Sequence, residues 1–93
     1  MPQKLSEQEI QSALEQSSWQ VQNGKLHRDF KFGNFIEAFG FLSQVAIHAE
    51  KMNHHPELYN VYNSVTIELV THDIEGISEL DIKLAETIDT LVP

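Results

Sequence analysis

Apolar residues recur along this chain with two different periods, and the changes of period divide it into successive elements. The first element is a predicted helix over residues 6–17, because Ser6 and Glu9 form an S-x-x-E capping box. Leu5 and Ile10 occupy the hydrophobic-staple positions around that cap. The buried stripe of this helix is predicted at three apolar positions: Ile10, Ala13 and Leu14.

A β-hairpin is predicted next, because the pattern changes to alternation at Trp19–Gln22 and Asn23-Gly24 follows. This dipeptide is a strong signal for a two-residue turn, and Lys25 begins the return strand. With such a turn, Val21 faces Leu26 across the hairpin. Alternation then divides the rest of the return strand between two faces: Phe30 and Phe32 on the side of Leu26, His27 and Lys31 on the opposite, solvated side.

The longest helix is predicted after Gly33, which breaks the strand. Asn34 is its expected N-cap, with Glu37 at the third helical position. Its apolar residues repeat at three and four positions and are expected to form the main core stripe: Phe35, Ala38, Phe39, Leu42, Val45, Ala46, Ala49 and Met52. His48 lies off this stripe and is expected at the surface. The helix ends within Asn53–Pro56, because proline disfavours helical geometry in the residue before it.

Two further strands are predicted in the last third of the chain. Leu58–Tyr62 is the first of them, and Asn63-Ser64 offers a turn. The second strand ends near His72, and a loop follows at Asp73–Gly76. Its apolar positions alternate along the strand: Val65, Ile67 and Leu69.

The last helix is predicted to begin at Ser78, its N-cap, with Asp81 at the third position. Its buried stripe is expected at four apolar positions: Leu84, Ala85, Ile88 and Leu91. Four strands in two hairpins favour an antiparallel sheet, and three amphipathic helices would cover one of its faces. The sequence therefore predicts one α+β domain over residues 1–93, in the order α-β-β-α-β-β-α.

Composition and charge exclude several classes of function. Fourteen acidic residues against six basic ones give a net charge of −8, which argues against direct binding to nucleic acid. No apolar run is long enough to span a bilayer, so no membrane segment is expected. The chain has no cysteine, which excludes disulfides, thiolate catalysis and Cys-based zinc sites, and fits a location in the reducing cytoplasm. A core this small favours association into a homo-oligomer.

Three histidines lie at the ends of different predicted elements. His54 and His55 precede Pro56 in the helix-to-strand loop, and His72 ends the last strand. Consecutive side chains on non-helical backbone diverge, so one of the pair would line the floor of a pocket and the other its rim. Glu50, one helical turn before His54, is placed to orient it by a hydrogen bond. Imidazole gives and takes protons near neutral pH, so this set is typical of a site that eliminates or adds water.

Two other interpretations of these histidines remain open from the residues alone. Three histidines with Glu50 carry the donor atoms of a zinc site, although the chain has no HExxH spacing. A histidine beside a helix-terminating proline can also serve only to cap the helix.

At these positions the chain resembles the pterin-4a-carbinolamine dehydratase family. The family pattern runs from a charged residue through His-His-Pro and an aromatic residue to a further histidine and an aspartate. Every position is filled here: Glu50, His54-His55-Pro56, Tyr62, His72 and Asp81. The AFGF element of the family's second helix is matched by Ala38-Phe39-Gly40-Phe41, and the resemblance extends roughly from Leu5 to Leu91.

The resemblance implies a hydro-lyase, a 4a-hydroxytetrahydrobiopterin dehydratase. Its substrate would be the 4a-hydroxytetrahydropterin that aromatic amino acid hydroxylases, including those acting on phenylalanine, form from tetrahydrobiopterin. Loss of water would give quinonoid dihydropterin, which a reductase recycles. The resemblance also implies that no metal and no organic cofactor is needed.

Roles for single residues follow from the same resemblance. His54 and His72 correspond to the acid/base pair, and His55 to the histidine most concerned with holding the pterin. Pterin-binding positions would be Asn53 to His55 and Val70 to Asp73, partly through backbone groups. In full, that binding set is Asn53, His54, His55, Val70, Thr71, His72 and Asp73. Supporting roles would fall to Glu50, Pro56 and Asp81.

A second function of a different class stays open. Animal members of the family also act as dimerisation cofactors of a homeodomain transcription factor. This chain would then be a non-catalytic protein-binding module on the same scaffold. In either case the resemblance favours a homodimer or homotetramer, and the catalytic function adds a possible hydroxylase partner.

Overall fold

A computed structural model describes residues 2–93, and its elements follow the predicted order α-β-β-α-β-β-α. The elements are α1 Glu7–Ala13, β1 Gln20–Gln22, β2 Lys25–Lys31, α2 Phe35–Met52, β3 Glu57–Val61, β4 Ser64–Leu69 and α3 Glu79–Leu91. One 3-10 turn, His72–Ile74, lies between β4 and α3. The predicted fold class is therefore confirmed. No helix within residues 2–93 is both long and apolar enough to cross a membrane.

The four strands form one antiparallel sheet in the order β1-β2-β4-β3. Val21 pairs with Leu26, which confirms the register predicted for the first hairpin. Leu26 in turn pairs with Leu69, and Glu57 with Glu68. The start of β2, the end of β4 and the start of β3 therefore lie at the same end of the sheet.

The core lies between the helices and one face of the sheet. The buried apolar side chains come from the segment before β1, from β2 and β4, from α2, and from α3 and the segment before it: Trp19, Leu26, Phe30, Ala38, Phe41, Val45, Ala49, Val65, Ile67, Leu69, Ile77, Leu84, Ala85 and Ile88. The central strands β2 and β4 supply its floor, since their alternate residues point towards the helices. Polar side chains of the same strands form an open face on the other side.

Three predicted boundaries were wrong by a few residues, and one of them is the end of β4, which lies at Leu69 and not near His72. Helix α1 ends at Ala13 and not at residue 17, because Leu14 caps it and the chain turns to bring Trp19 into the core. The second hairpin turns at Tyr62 and Asn63, one residue earlier than predicted, and Tyr62 takes a left-handed φ of 52°. Asn63 donates a side-chain hydrogen bond to the Phe32 carbonyl, which fixes the turn against the end of β2.

The predicted core stripe of α2 was correct only in part. Ala38, Val45 and Ala49 are buried as expected, but Phe35 and Phe39 are about half exposed. Phe41 is buried instead, because its ring packs against those of Phe30 and Phe32 at centroid distances of 5.0 and 4.9 Å. Of the other three stripe positions, Leu42 and Met52 are half-buried and Ala46 is exposed. The buried face of α2 is thus rotated relative to the predicted one.

Candidate active site

His54 is turned into the protein by the way α2 ends. Asn53, the C-cap residue, has a left-handed φ of 52°, and the His54 amide then donates to the Ala49 carbonyl at 3.0 Å. Only 8% of His54 is exposed. Its Nε2 lies 2.6 Å from Oδ1 of Asp81, a residue with no exposed surface.

Asp81 is held by two further hydrogen-bonding groups. Its second oxygen, Oδ2, accepts from the Thr71 hydroxyl at 2.8 Å and from the Ser78 amide at 2.9 Å. The hydroxyls of Thr71 and Ser78 are themselves 2.6 Å apart. Asp81 is the N3 residue of the α3 capping box, so the first turn of that helix positions its carboxylate. The His54 ring is therefore oriented by a network in which no buried side-chain nitrogen or oxygen lacks a hydrogen-bond partner.

His55 follows His54 but lies on the surface. Its side chain is 63% exposed, and its Nε2 is 2.8 Å from Oε1 of Glu50. Glu50 was expected to orient His54, and that expectation was wrong. Because Asn53 turns His54 inward, His55 remains on the side of α2 where Glu50 projects.

His72 opens the 3-10 turn after β4 and is also exposed. Its Nε2 lies 3.8 Å from Oε2 of Glu57, the first residue of β3. Thr71, the preceding residue, reaches Asp81 through its hydroxyl, and its amide donates to the Gly76 carbonyl at 2.8 Å. The chain therefore places His72 next to the network that holds His54, and the three histidines belong to one end of the fold.

Glu57 is a residue of this region that the sequence did not reveal. Lys25 Nζ donates to both of its oxygens, at 2.8 and 3.0 Å, and the Tyr59 hydroxyl donates to Oε1 at 3.3 Å. The hydrogen bond from Lys25 keeps the pKa of the Glu57 carboxyl below its usual range. No local motif signals this contact, because Lys25 and Glu57 come from strands that are not neighbours in the sheet.

The other predicted binding positions surround the same network. Asn53 is exposed at the end of α2, Val70 is half-buried after β4, and Asp73 is exposed in the 3-10 turn. Pro56 is half-buried directly before β3. The Thr71 side chain is directed inward to Asp81, so within the protein it acts on the position of that carboxylate.

The remaining two histidines lie elsewhere. His27 is on the open face of the sheet as predicted, but it is not simply solvated: its Nδ1 is 2.8 Å from Oε2 of Glu68 and its Nε2 3.3 Å from Oδ2 of Asp29. The hydrogen bond with Glu68 raises the pKa of the His27 imidazole. His48 is half-buried on α2.

Metal binding was an alternative for the three histidines. Among residues 2–93, no three His, Cys, Asp or Glu side chains converge in a way that would hold a metal ion. A groove of about 410 Å³ between α1 and α3, lined by Leu5, Ala13 and Ile82 among others, lies apart from the histidines. In the candidate site, each of the three imidazoles faces a carboxylate of its own.

The fold and the site together define a class: a small α+β domain with three histidines, each facing a carboxylate, at one end of an antiparallel sheet. Residues 3–91 match the family model described as pterin 4 alpha carbinolamine dehydratase. The chain belongs to this family, as its His-His-Pro pattern indicated, and its general activity is that of a pterin dehydratase.

Relatives of known sequence cover nearly the whole chain. A protein of Solibacter usitatus is 60% identical over 92 residues, which are 98% of this chain and 97% of that protein. One from Prochlorococcus marinus strain MIT 9303 is 50% identical over 90 residues, 96% of this chain and 94% of that protein. Both bear the provisional name pterin-4-alpha-carbinolamine dehydratase.

Two solved structures share the architecture. A transcriptional coactivator/pterin dehydratase from Brucella melitensis superposes with a TM-score of 0.92 at 42% identity, covering 98% of this chain and 100% of that one. A pterin dehydratase-like protein described as a RuBisCO assembly factor in the alpha-carboxysome superposes with a TM-score of 0.65 at 24% identity, covering 78% of this chain and 84% of that one. The second likeness concerns the fold alone.

Proposed function

We propose that this protein dehydrates 4a-hydroxytetrahydropterin, in the form of 4a-hydroxytetrahydrobiopterin, to quinonoid dihydropterin by acid/base catalysis with histidines. The observation that carries the proposal is the buried pair of His54 and Asp81, 2.6 Å apart, with two exposed histidines on the adjoining backbone. A buried imidazole whose proton is held by a carboxylate, next to two solvent-accessible imidazoles, is suited to proton transfer.

The reaction needs one acid and one base. In the substrate, ring carbon C4a carries a hydroxyl and the adjacent N5 carries a hydrogen. Dehydration breaks the C4a–O bond, delivers a proton to the departing oxygen, removes the proton from N5 and forms a C4a=N5 double bond. The products are quinonoid dihydropterin and water. No electron passes to or from another molecule, so two groups that titrate near neutral pH are sufficient.

The proposed roles follow the geometry of each ring. A carboxylate accepts a hydrogen bond from N–H, so Asp81 keeps the proton of neutral His54 on Nε2 and leaves Nδ1 as its proton acceptor. His54 and His72 form the acid/base pair in this proposal. His55, which is exposed and paired with Glu50, contacts the pterin and holds it between His54 and His72.

The biological setting is proposed from the family. The substrate arises when an aromatic amino acid hydroxylase uses a tetrahydropterin, so the dehydratase would recycle that cofactor. A hydroxylase is therefore the proposed metabolic partner. The Brucella relative, a transcriptional coactivator/pterin dehydratase by description, carries both activities in its name.

The test is the rate at which freshly generated 4a-hydroxytetrahydropterin loses water, followed by the absorbance of the quinonoid product. Wild type should accelerate the reaction, and a double variant, His54→Ala with His72→Ala, should lose that acceleration while remaining folded. Positioned acid/base groups contribute about 10²–10⁴-fold, so the loss should be of that order. A double variant as fast as wild type would refute the roles given to these two rings.

A second function is favoured by one observation, the exposed apolar surface of α2. Four large side chains on this helix face solvent: Phe35, Ile36, Phe39 and Ile47. Exposed apolar clusters mark sites of protein association. We infer that α2 associates either with a second copy, giving a homodimer or homotetramer, or with a regulatory protein partner.

A further inference from the structure

Each histidine of the candidate site turns the same ring nitrogen towards a carboxylate of its own. Nε2 of His54 faces Asp81, and Nε2 of His55 faces Glu50, at 2.6 and 2.8 Å. The third ring, His72, follows the same pattern, with Nε2 3.8 Å from Glu57. The His-His-Pro pattern of the sequence includes Glu50 and Asp81 but not Glu57.

Glu57 is held in place more firmly than an ordinary surface glutamate. Lys25 spans the central strand β4 to reach it from β2, and it binds both carboxylate oxygens at 2.8 and 3.0 Å. Tyr59, two residues along β3, donates to Oε1. Only 24% of the Glu57 side chain is exposed, against 72% of His72. The carboxylate is therefore a fixed point, and the imidazole is the mobile member of the pair.

Few charged groups lie around the pair of Glu57 and His72. On the open face of the sheet, Glu68 of β4 lies across from Glu57, and its negative charge also attracts Lys25. Glu68 itself is engaged by His27 at 2.8 Å. Lys25 is the cation bound to Glu57, and it offsets the repulsion between the two carboxylates that face each other across β3 and β4.

We propose that Glu57, fixed by Lys25, is a positioning residue for His72: it holds the imidazole with Nε2 inward and presents Nδ1 to the substrate. This inference rests on the proposed function, in which His72 is one member of the acid/base pair. When the His72 imidazole is protonated, the attraction at 3.8 Å is electrostatic and orients an exposed ring that the backbone alone leaves free to rotate.

Glu57→Gln tests the role because it keeps the size of the side chain and removes its charge. A unit charge pair about 4 Å apart in water is worth about 1 kcal/mol, so kcat should fall about fivefold, with KM changed less than about twofold. Glu86→Gln, at an exposed position of α3, is the matched control and should leave both constants unchanged. Lys25→Met should lower kcat in the same direction.

Two further measurements separate positioning from general damage. In ¹H–¹⁵N spectra of the histidine side chains, Glu57→Gln should change the His72 resonances and leave those of His54 in place. In a double-mutant cycle, Glu57→Gln should have no further effect once His72 is alanine.

Unchanged His72 resonances in Glu57→Gln would overturn the proposal, as would a loss of kcat that persists in the His72→Ala background. The spectra need no turnover. If wild type failed to dehydrate the pterin, the proposed function would fall, while the spectra would still decide whether Glu57 orients His72.

Discussion

His54 is an ionisable ring that the fold keeps inside, and its partner Asp81 is buried still more deeply. Burying such a pair is unfavourable unless additional hydrogen bonds support it, and here Thr71 and Ser78 supply them to Asp81. The arrangement determines which nitrogen of His54 carries the proton. In the proposed mechanism, Asp81 would therefore act on the reaction through His54.

Asp81→Asn should keep the fold and impair turnover. The amide can donate to His54 Nε2, which would move the imidazole proton to Nδ1 and remove the acceptor that the substrate needs. We expect kcat to fall about 10- to 100-fold, with a loss of about 1–3 kcal/mol in the free energy of unfolding from urea titration.

The control for this change is Asp89→Asn, on the same helix. Asp89 accepts from the Trp19 indole and from Arg28, so the substitution should cost stability of similar order but leave kcat intact. Wild-type turnover in Asp81→Asn would contradict the role given to the buried pair.

At the scale of elements, helix ends do most of the positioning. The C-cap of α2 turns His54 inward, and the first turn of α3 presents Asp81. The chain contains two capping boxes of the same kind, one at each terminal helix, with Ser6 and Ser78 as their N-caps. Only the second one is connected to the histidines.

These two boxes offer a matched pair of variants. Ser6→Ala and Ser78→Ala should each lower the free energy of unfolding by about 1–2 kcal/mol, because each removes an N-cap hydrogen bond. Ser78→Ala should in addition lower kcat by about threefold to tenfold, since Ser78 also contacts Thr71. Equal turnover in the two variants would show that the cap at α3 serves stability alone.

At the scale of the whole molecule, the acidic net charge of −8 contrasts with the apolar outer side of α2. Charge repulsion opposes association, so a persistent assembly would have to bury apolar surface. The exposed side chains of α2 provide such a surface.

We expect wild type to sediment as a dimer or a larger assembly in analytical ultracentrifugation. Ile36→Lys combined with Phe39→Lys should shift the protein towards the monomer, because charges would be buried at the interface. Gln8→Lys combined with Gln11→Lys, an equal change of charge at exposed positions of α1, should leave the sedimentation coefficient unaltered. A monomeric wild type at all concentrations would contradict self-association through this helix.

Structural features that depend on a few consecutive residues could be predicted from the sequence. Features that depend on tertiary packing could not. The Ser6 and Ser78 caps and the Asn23-Gly24 turn each depend on a few consecutive residues, and all three were predicted correctly. The exposed side of α2 was not, since the position of Phe41 under the sheet decides which residues are buried.

The candidate site likewise has some residues that the sequence predicted and others that only tertiary packing reveals. The family pattern pointed to the three histidines and to Asp81, because their spacing is distinctive. Glu57 remained hidden, since its contact with His72 depends on the pairing of β3 with β4 and on a lysine from another hairpin. Glu50 pairs with His55, whereas the sequence predicted His54 as its partner. The difference follows from the left-handed conformation of Asn53 at the end of α2.

The most direct measurement is the rate of quinonoid dihydropterin formation from freshly generated 4a-carbinolamine, with wild type, His55→Ala and His48→Ala side by side. Wild type and His48→Ala should accelerate the reaction equally, and His55→Ala, which removes the ring proposed to hold the pterin, should lose the acceleration by about 10²-fold or more. No acceleration by folded wild type, or full activity in His55→Ala, would contradict a histidine dehydratase at this site.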